Sequence, residues 1–258
     1  MSKGTALVTG ASGGIGRVFA VKLAREGYDV VVAARSRGKL EEVAKEIEGH
    51  GVRGVVIESD LSKPDAPKAL FEAVREEGLQ VDVLINNAGF ATYGHFASIE
   101  LDKELDMINL NVTALVHLTR LFVPEMVARK RGRVVNVAST AAFQPGPLMA
   151  NYYASKAYVL HFSEAIANEL QGTGVTVTAL CPGPTASGFQ ERAGMDNVKL
   201  VKSGLMSAEK VVDIGYRGML KGKPVVIPGL KNRMLAQSTR FFPRKMTVKV
   251  VRNLQSEG

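Results

Sequence analysis

The chain has 258 residues, of which 46% are hydrophobic and 22% are charged. This composition can bury a sizeable core and excludes a disordered or collagen-like chain. The 33 Lys and Arg against 25 Asp and Glu give a net charge of +8. The charge is uneven: residues 1–198 carry 20 basic and 22 acidic side chains, whereas residues 199–258 carry 13 and 3. The body is therefore nearly neutral and the tail is basic.

The beginning of the chain and its single cysteine bear on location. Cys181 cannot form an internal disulfide, which is compatible with a reducing compartment. The opening MSKG leads into an apolar run without the charged and apolar regions of a secretion signal. The longest uncharged stretch, residues 170–190, is broken by Gly and Pro and is unlike a membrane-spanning helix. We expect a cytoplasmic protein.

Short apolar runs alternate with longer segments of helical periodicity. The predicted strands are Ala6–Thr9, Val30–Ala34, Val52–Glu58, Val81–Asn86, Arg133–Ala138, Val175–Leu180 and Val225–Ile227. The clearest predicted helices are Glu41–Glu48, Pro67–Glu77, Lys103–Ala128 and Tyr152–Gln171. This alternation predicts a single α/β domain, Rossmann-like, with a doubly wound, mostly parallel seven-stranded sheet and helices on both faces. In such a sheet, ligands bind beyond the carboxyl ends of the strands.

A glycine-rich turn follows the first predicted strand and opens a helix. Backbone amides in such a turn can approach a pyrophosphate closely, and the helix N-terminus favours its negative charge. A tight strand-to-helix connection without a ligand is the alternative. We predict cofactor contacts from Gly10, Ser12, Gly13, Gly14, Ile15 and Gly16.

The spacing of these glycines, Gly-x-x-x-Gly-x-Gly from Gly10 to Gly16, resembles the cofactor signature of the short-chain dehydrogenases/reductases. The resemblance extends from Thr5 to about Gly229. It implies a Rossmann-like fold and an oxidoreductase that transfers a hydride between a nicotinamide cofactor and a carbonyl or alcohol.

The candidate catalytic residues follow the fifth predicted strand. Ser139 comes first, and Tyr152 and Lys156 lie four residues apart on one helix face. Reduction of a carbonyl develops charge on its oxygen, so an acid and hydrogen-bond donors are needed there. The resemblance implies Tyr152 as general acid/base, Ser139 as partner of the substrate oxygen, and Lys156 as the residue that lowers the tyrosine pKa and binds ribose. The spacing excludes Tyr153 from these roles.

An asparagine supports a water-mediated proton relay to the lysine in many family members. Two candidates, Asn109 and Asn111, occur in the helical segment after the fourth predicted strand. The residues that follow favour Asn111, with Asn109 as the alternative.

The second predicted strand ends without an acidic residue, where dinucleotide folds often place one against a ribose 2′-hydroxyl. Arg35 offers a charge-assisted hydrogen bond to a 2′-phosphate instead, and Ser36 offers a hydroxyl. We therefore predict a preference for NADP(H) over NAD(H), with a solvated loop charge as the alternative for Arg35. Arg37 and Lys39 are predicted to be surface charges.

Further cofactor contacts are implied by the resemblance after the third, fourth and sixth strands. Asn86, in the Asn-Asn-Ala-Gly motif, is predicted to be mainly structural. The implied contacts are Asp60, Leu61, Asn87, Ala88, Gly89, Pro182, Gly183, Thr185 and Ser187. From the residues alone, Asp60 could equally form a loop turn or cap a helix.

Apolar side chains near these motifs are candidates for the substrate pocket and suggest an apolar or aromatic carbonyl compound. They are accompanied by one histidine, which we assign to the pocket wall rather than to catalysis. The histidines show no metal-ligand spacing, so we expect no metal. The pocket candidates are Phe90, Tyr93, His95, Phe143, Met149 and Phe189.

Residues 230–258 are predicted to form a basic, partly amphipathic extension of a catalytic domain at residues 1–229. Met246, Val250 and Leu254 form one helical stripe, and Lys245, Lys249 and Arg252 form another. Packing on the domain or on a sister subunit is favoured, and peripheral membrane contact is the alternative. No motif supports nucleic-acid binding.

These observations predict an NADP(H)-dependent carbonyl reductase or alcohol dehydrogenase, in a homodimer or homotetramer. A 3-ketoacyl thioester reductase is the nearest alternative enzyme. A non-enzymatic NADP-binding protein at a membrane surface is the alternative of another class, and the complete set of Ser139, Tyr152 and Lys156 argues against it.

Overall fold

The structure, a computed structural model, describes residues 2–195, 198–199 and 204–256. Its strands are β1 (Thr5–Thr9), β2 (Asp29–Ala34), β3 (Gly54–Glu58), β4 (Val81–Asn86), β5 (Gly132–Val137), β6 (Val175–Leu180), β7 (Thr185–Ala186), β8 (Met206–Ser207) and β9 (Val225–Val226). Its helices are α1 (Gly14–Arg25), α2 (Arg37–Glu48), α3 (Ala66–Glu76), α4 (Leu101–Ile108), α5 (Leu115–Ala128), α6 (Ala150–Glu169), α7 (Phe189–Arg192), α8 (Ala208–Leu220), α9 (Leu230–Ser238) and α10 (Arg244–Leu254).

Seven strands form one parallel sheet in the order β3-β2-β1-β4-β5-β6-β9. The predicted seven-stranded, doubly wound sheet is confirmed. The strand order reverses between β1 and β4, where β1 leads outward to β2 and the later chain crosses to β4. Such a switch point leaves a crevice at the carboxyl ends of the strands, and ligands of open α/β sheets bind there.

Alternate residues of each strand pack against helices on opposite faces of the sheet. In β1, Val8 belongs to the apolar cluster that contains Phe19 of α1 and Val211 of α8. Its neighbour Leu7 belongs to the cluster on the other face, with Phe122 of α5. Both faces are therefore buried, which explains why the strands are apolar at nearly every position.

The predicted helix Lys103–Ala128 is interrupted. A π-helical turn, Asn109–Ala114, lies between α4 and α5. Within it the buried Asn111 side chain bonds to the backbone of Phe90 and to Ser155 of α6. The wider turn lets this amide reach two neighbouring segments, a long-range contact that helical periodicity does not encode.

The C-terminal extension folds back over the carboxyl edge of the sheet. Val251 of α10 is buried in an apolar cluster with Met149, Tyr152 and Tyr153. A two-stranded sheet of β7 and β8, which the sequence did not predict, lies beside it. Among the described helices, none combines the length and apolar character needed to cross a bilayer.

Candidate active site

A cavity of about 1800 Å³ opens along the carboxyl ends of the strands. Its wall is formed by the glycine turn after β1, by the loops after β2 to β6, and by the C-terminal extension. Pockets for one small ligand usually measure about 300–1,000 Å³. The cavity therefore has room for a dinucleotide and a second molecule.

The glycine turn forms one end of this cavity. Gly10 and Gly14 have φ angles of +64° and +54°, in the left-handed region that favours glycine. A Cβ atom on Gly16 would lie 2.3 Å from the Gly10 carbonyl oxygen, so only glycine permits this approach of α1 to the turn. Gly10, Ser12, Gly13, Gly14 and Ile15 line the cavity. Gly16 lies behind the wall and acts through packing.

Asn87 joins the end of β4 to the glycine turn. Its Nδ2 atom donates hydrogen bonds to the carbonyl oxygens of Thr9, at 2.9 Å, and Gly10, at 3.2 Å. The Thr9 hydroxyl accepts from the backbone amides of Asn87 and Ala88 at 3.0 and 3.1 Å. Asn87, Ala88 and Gly89 all line the cavity. These bonds fix the β4 loop against the turn, with backbone facing the cavity.

Asn86 points away from the cavity into the protein interior. Its Nδ2 atom donates to Thr119 Oγ1, at 3.0 Å, and to Asn136 Oδ1, at 2.9 Å. Asn136 in turn donates to Ser163 Oγ at 2.9 Å. The four side chains connect β4 and β5 to α5 and α6, which is a structural contact of the kind expected for Asn86.

The loop after β2 gives the cavity a basic wall. Arg35, Ser36 and Lys39 line it and are exposed. Lys39 is exposed, as predicted for a surface charge, and the first turn of α2 also brings it to the cavity. Arg37 points outward, with its Nε atom 3.1 Å from Glu41 Oε1.

Asp60 and Leu61, after β3, also line the cavity. Asp60 Oδ1 accepts hydrogen bonds from the backbone nitrogen and the hydroxyl of Ser62, at 3.2 and 2.9 Å. The carboxylate therefore shapes the loop as well as facing the cavity.

The loop after β6 lies against the glycine turn. Pro182, Gly183, Thr185 and Ser187 line the cavity. A Cβ atom on Gly14 would lie 2.9 Å from the Ser187 carbonyl oxygen. The two segments thus enclose the cavity between them.

Tyr152 and Lys156 lie on the buried face of α6, next to Ser139 at the end of β5. Lys156 Nζ lies 5.8 Å from the centre of the Tyr152 ring and donates to the Val137 carbonyl oxygen at 2.8 Å. Ser139 Oγ accepts from the Ala141 amide at 3.1 Å. All three candidate catalytic residues line the cavity.

Burial shifts the proton affinity of both α6 side chains. It raises the pKa of the Tyr152 phenol, while the neighbouring Ser139 hydroxyl lowers it. Burial lowers the pKa of the Lys156 ammonium to about 8. The phenol is therefore protonated at neutral pH, and Lys156 is close to its titration midpoint in mildly alkaline solution.

Asn111 lies behind the cavity wall, next to the same lysine. Its Oδ1 atom accepts from the Phe90 amide at 3.1 Å, and its Nδ2 atom donates to the Phe90 carbonyl oxygen at 3.0 Å. A Cβ atom on Gly89 would lie 2.8 Å from Asn111 Oδ1 and 3.6 Å from Lys156 Nζ. The Asn111 amide therefore lies on the lysine side of the wall, as a relay residue would, and the choice between Asn111 and Asn109 stays a prediction.

Two of the six predicted pocket residues line the cavity. Met149 precedes α6, and the Phe189 ring lies 5.4 Å from the Tyr152 ring. Both are apolar neighbours of the candidate acid.

The other four predicted pocket residues do not line the cavity, and their contact with a substrate stays a prediction. Phe90 and Tyr93 pack against the apolar cluster that contains Met149 and Tyr152. Phe90 is held through its backbone by Asn111. The Tyr93 hydroxyl donates to the backbone carbonyl oxygen of Gln255 at 2.6 Å, behind the wall. His95 is exposed at the start of a short 3-10 turn, and Phe143 packs on the apolar cluster beneath α6.

The C-terminal extension supplies the wall that these four residues do not. Its lining side chains are mainly apolar, and Gln255, 1% exposed, lies at the end of α10. The stripe of Met246, Val250 and Leu254 was a signal for this contact, but local periodicity cannot tell which surface a terminal helix covers. The apolar lining residues of the extension are Leu230, Leu235, Ala236, Phe242, Met246, Val250, Val251 and Leu254.

Metal-binding side chains are not clustered in the described part of the chain, where no three His, Cys, Asp or Glu residues could hold an ion together. Cys181 is buried, and its burial raises the pKa of the thiol to about 12.

Comparisons with known proteins agree with this geometry. The family model described as short chain dehydrogenase matches residues 4–197. The very-long-chain 3-oxoacyl-CoA reductase of Anas platyrhynchos is 38% identical over 184 residues, which cover 69% of this chain and 58% of that protein. This chain thus spans less than two thirds of that relative.

Two further matches cover more of the compared protein. The 3-oxoacyl-[acyl-carrier-protein] reductase FabG of Staphylococcus epidermidis is 37% identical over 180 residues, 69% of this chain and 74% of that protein. A short-chain dehydrogenase from Sphingobium yanoikuyae, solved in complex with NADPH, has a TM-score of 0.83 and 33% identity, covering 92% of this chain and 93% of that one. From the match over residues 4–197 and the shared fold, the chain belongs to the short-chain dehydrogenase/reductase family of oxidoreductases.

Proposed function

We propose that the protein is an NADP(H)-dependent carbonyl reductase or alcohol dehydrogenase that acts on an apolar ketone or secondary alcohol. The observation that carries this proposal is the convergence of Ser139, Tyr152 and Lys156 on one cavity that also contains a phosphate-binding turn. A protein that only bound the nucleotide would not need a buried phenol and ammonium beside an apolar wall.

The cofactor end of the cavity fits an NADP-type dinucleotide. At Gly10, Gly14 and Gly16 a Cβ atom would meet neighbouring residues of the protein, so only glycine permits this tight turn at the N-terminus of α1. Backbone amides at such a helix N-terminus would bind a pyrophosphate. Arg35 and Lys39 would bind a 2′-phosphate. The NADPH in the related Sphingobium structure supports this assignment. A bound nicotinamide would supply or accept the hydride.

Tyr152 would donate its phenol proton to the substrate oxygen during reduction and remove it during oxidation. The raised pKa of the free phenol keeps this proton in place at neutral pH. The Lys156 ammonium would stabilise the phenolate that remains after transfer. The Ser139 hydroxyl would orient the same substrate oxygen, and Asn111 would support proton supply through Lys156.

An apolar substrate is indicated by the far end of the cavity. Met149, Phe189, Met195 and Val251 line it in the apolar cluster that contains Tyr152. A ketone with bulky apolar substituents would bury those groups there, which stabilises binding by about 25 cal/mol per Å² of apolar area.

A 3-ketoacyl thioester is the second candidate substrate. The names of the Anas and Staphylococcus relatives favour it, and the apolar wall could hold an acyl chain. The carbonyl chemistry at Tyr152 would be the same, so only the group beyond the carbonyl separates the two candidates.

A substrate screen tests the proposal. NADPH consumption is measured with aromatic ketones, ketosteroids, diketones and 3-ketoacyl thioesters, with NADH in parallel. We expect turnover of at least one class and higher kcat/KM with NADPH. Tight NADPH binding without turnover of any carbonyl would overturn the enzymatic assignment. Light scattering of the same sample tests the expected homodimer or homotetramer.

A further inference from the structure

The exposed side chains of residues 230–254 form an apolar and basic surface, here called the C-terminal surface. Phe241 is 84% exposed, Leu230 75% and Met234 64%, and Leu235 and Phe242 are at least half exposed. Large apolar side chains that cluster in this way usually mark a contact surface rather than free protein surface. Phe241 and Phe242 are consecutive residues in the segment between α9 and α10.

All charged side chains of this surface are positive. Residues 230–256 contain no Asp or Glu. All basic side chains of the segment are exposed, so they face solvent without a carboxylate on the same segment. A partner of negative charge is therefore complementary to it. The basic residues are Lys231, Arg233, Arg240, Arg244, Lys245, Lys249 and Arg252.

The C-terminal surface is continuous with the substrate end of the cavity. Leu235, Phe242, Met246, Val250 and Leu254 are exposed and also line the cavity. Whatever contacts this surface therefore lies at the entrance through which an apolar substrate would pass.

We propose that the C-terminal surface docks on a lipid bilayer with anionic headgroups. Phe241 and Met234 would enter the boundary between headgroups and acyl chains, and the basic side chains would contact the phosphates. A helix pair with apolar and Lys/Arg-rich faces has the chemistry of an interfacial anchor. Two copies of this surface would instead place like charges opposite each other. Nucleic acid would not require so much exposed aliphatic area.

Docking also concerns the substrate. A ketone dissolved in the bilayer could enter the cavity past Phe242 and Met246, which are exposed and also line it. This second step rests on the proposed function, whereas docking itself does not.

Vesicle flotation of the full chain tests docking. Vesicles of phosphatidylcholine alone are compared with vesicles that also contain phosphatidylglycerol. We expect at least tenfold stronger binding to the anionic vesicles, weakened by salt. The triple variant Arg240→Glu, Arg244→Glu, Lys245→Glu should bind about a hundredfold more weakly, since each basic residue near an anionic surface contributes about 1 kcal/mol. The pair Met234→Ser, Phe241→Ser should also lose binding.

Matched controls use exposed residues elsewhere. Phe96→Ser replaces a phenylalanine that is 69% exposed in the loop after β4, and Lys221→Glu, Lys223→Glu reverses exposed charges after α8. Both controls should float like the original chain. Equal loss in the controls, or no flotation with anionic vesicles, would overturn the proposal.

Two other readouts separate the alternatives. If Met234→Ser, Phe241→Ser splits an oligomer in light scattering and the original chain does not float, the surface binds a second copy and the proposal is wrong. Flotation without any ketone turnover would leave docking intact and overturn only the proposed function.

Discussion

Gln255 donates a hydrogen bond from its Nε2 atom to the Tyr153 hydroxyl at 2.5 Å. Tyr153 is the residue after the candidate acid, and its ring makes an edge-on contact with that of Tyr152. The Tyr93 hydroxyl holds the backbone carbonyl of the same glutamine at 2.6 Å. The end of α10 is thus joined to both the catalytic helix and the loop after β4.

Gln255→Ala should weaken this attachment and loosen the apolar end of the cavity. A neutral hydrogen bond contributes about 0.5–1.5 kcal/mol, so we expect KM for a bulky ketone to rise roughly fivefold, with little change in NADPH affinity. Asn253→Ala is the control because Asn253 is exposed on the same helix. Steady-state kinetics measures both. An equal effect of the two substitutions would contradict a role for the Gln255 bond.

Tyr152→Phe should retain NADPH binding and lose about 10²–10⁴-fold in kcat, the usual contribution of a positioned acid. Tyr153→Phe keeps the ring contact with Tyr152 but loses the bond to Gln255, so its kcat should remain within about tenfold of the original, the cost of one neutral hydrogen bond. Fluorescence titration with NADPH and single-turnover kinetics separate binding from chemistry. Retained turnover in Tyr152→Phe would reject the proposed acid.

Ketone reduction should weaken in alkaline solution. The Lys156 ammonium has a pKa of about 8, so its charge is present below that pH and is lost above it. The Tyr152 phenol stays protonated through the same range because its pKa is raised. We expect kcat/KM to fall above about pH 8, since this ratio reports the ionisations of the free enzyme. A rate that is constant to about pH 10 would contradict a role for the charged lysine.

The lowered pKa of Lys156 also affects stability. Whereas kcat/KM should fall as the pH rises, the free energy of unfolding should increase. Between about 8 and the unfolded value of 10.5, the unfolded chain binds more protons at this lysine than the folded chain does. The lysine's contribution to the free energy of unfolding therefore rises with pH across this interval. Lys156→Met should lack that increment, which denaturant titrations of the cofactor-free protein at several pH values can measure.

Arg35→Asp should reduce the preference for NADPH over NADH. Its carboxylate would repel the 2′-phosphate, and because the site is exposed we expect a change of roughly tenfold to a hundredfold in the ratio of kcat/KM values. Arg37→Asp is the matched control, since Arg37 points away and pairs with Glu41. An unchanged ratio in Arg35→Asp would remove this residue from the 2′-phosphate site.

Asn136→Ala should destabilise the fold by about 2–4 kcal/mol, because the buried Asn86 and Ser163 side chains each lose one of their two hydrogen bonds. Thr178→Val, on the neighbouring strand β6, is the control because it removes a buried polar group that makes no hydrogen bond. In the described structure the Thr178 hydroxyl is buried without a hydrogen-bond partner. Its removal should be neutral or slightly stabilising. Urea unfolding measures both variants.

The sheet was predictable because burial on both faces makes each strand apolar along its whole length. Val31 and Val32 pack on opposite helix layers, so the sequence shows a continuous run. The glycine turn was predictable for a related reason: close backbone approach at Gly16 excludes every side chain. These signals are local.

Contacts between distant segments were not predictable in the same way. Phe143 and Met149 are both apolar and lie between β5 and α6, yet Phe143 packs beneath α6 and Met149 faces the cavity. Lys39 reaches the cavity wall because α2 begins at Arg37, an end that the predicted Glu41–Glu48 helix did not include. The contact of Gln255 with Tyr153 spans 102 positions, and no local pattern encodes it.

The π-helical turn at Asn109–Ala114 holds one residue more than the regular helical turn that it replaces between α4 and α5. Deletion of one residue there would convert the turn to regular α-helix and leave α4 and α5 in phase. Glu104, whose carboxylate accepts from Thr92 and Asn151, would keep its partners. The loss would fall on Asn111, whose side chain would no longer be held between Phe90 and Ser155.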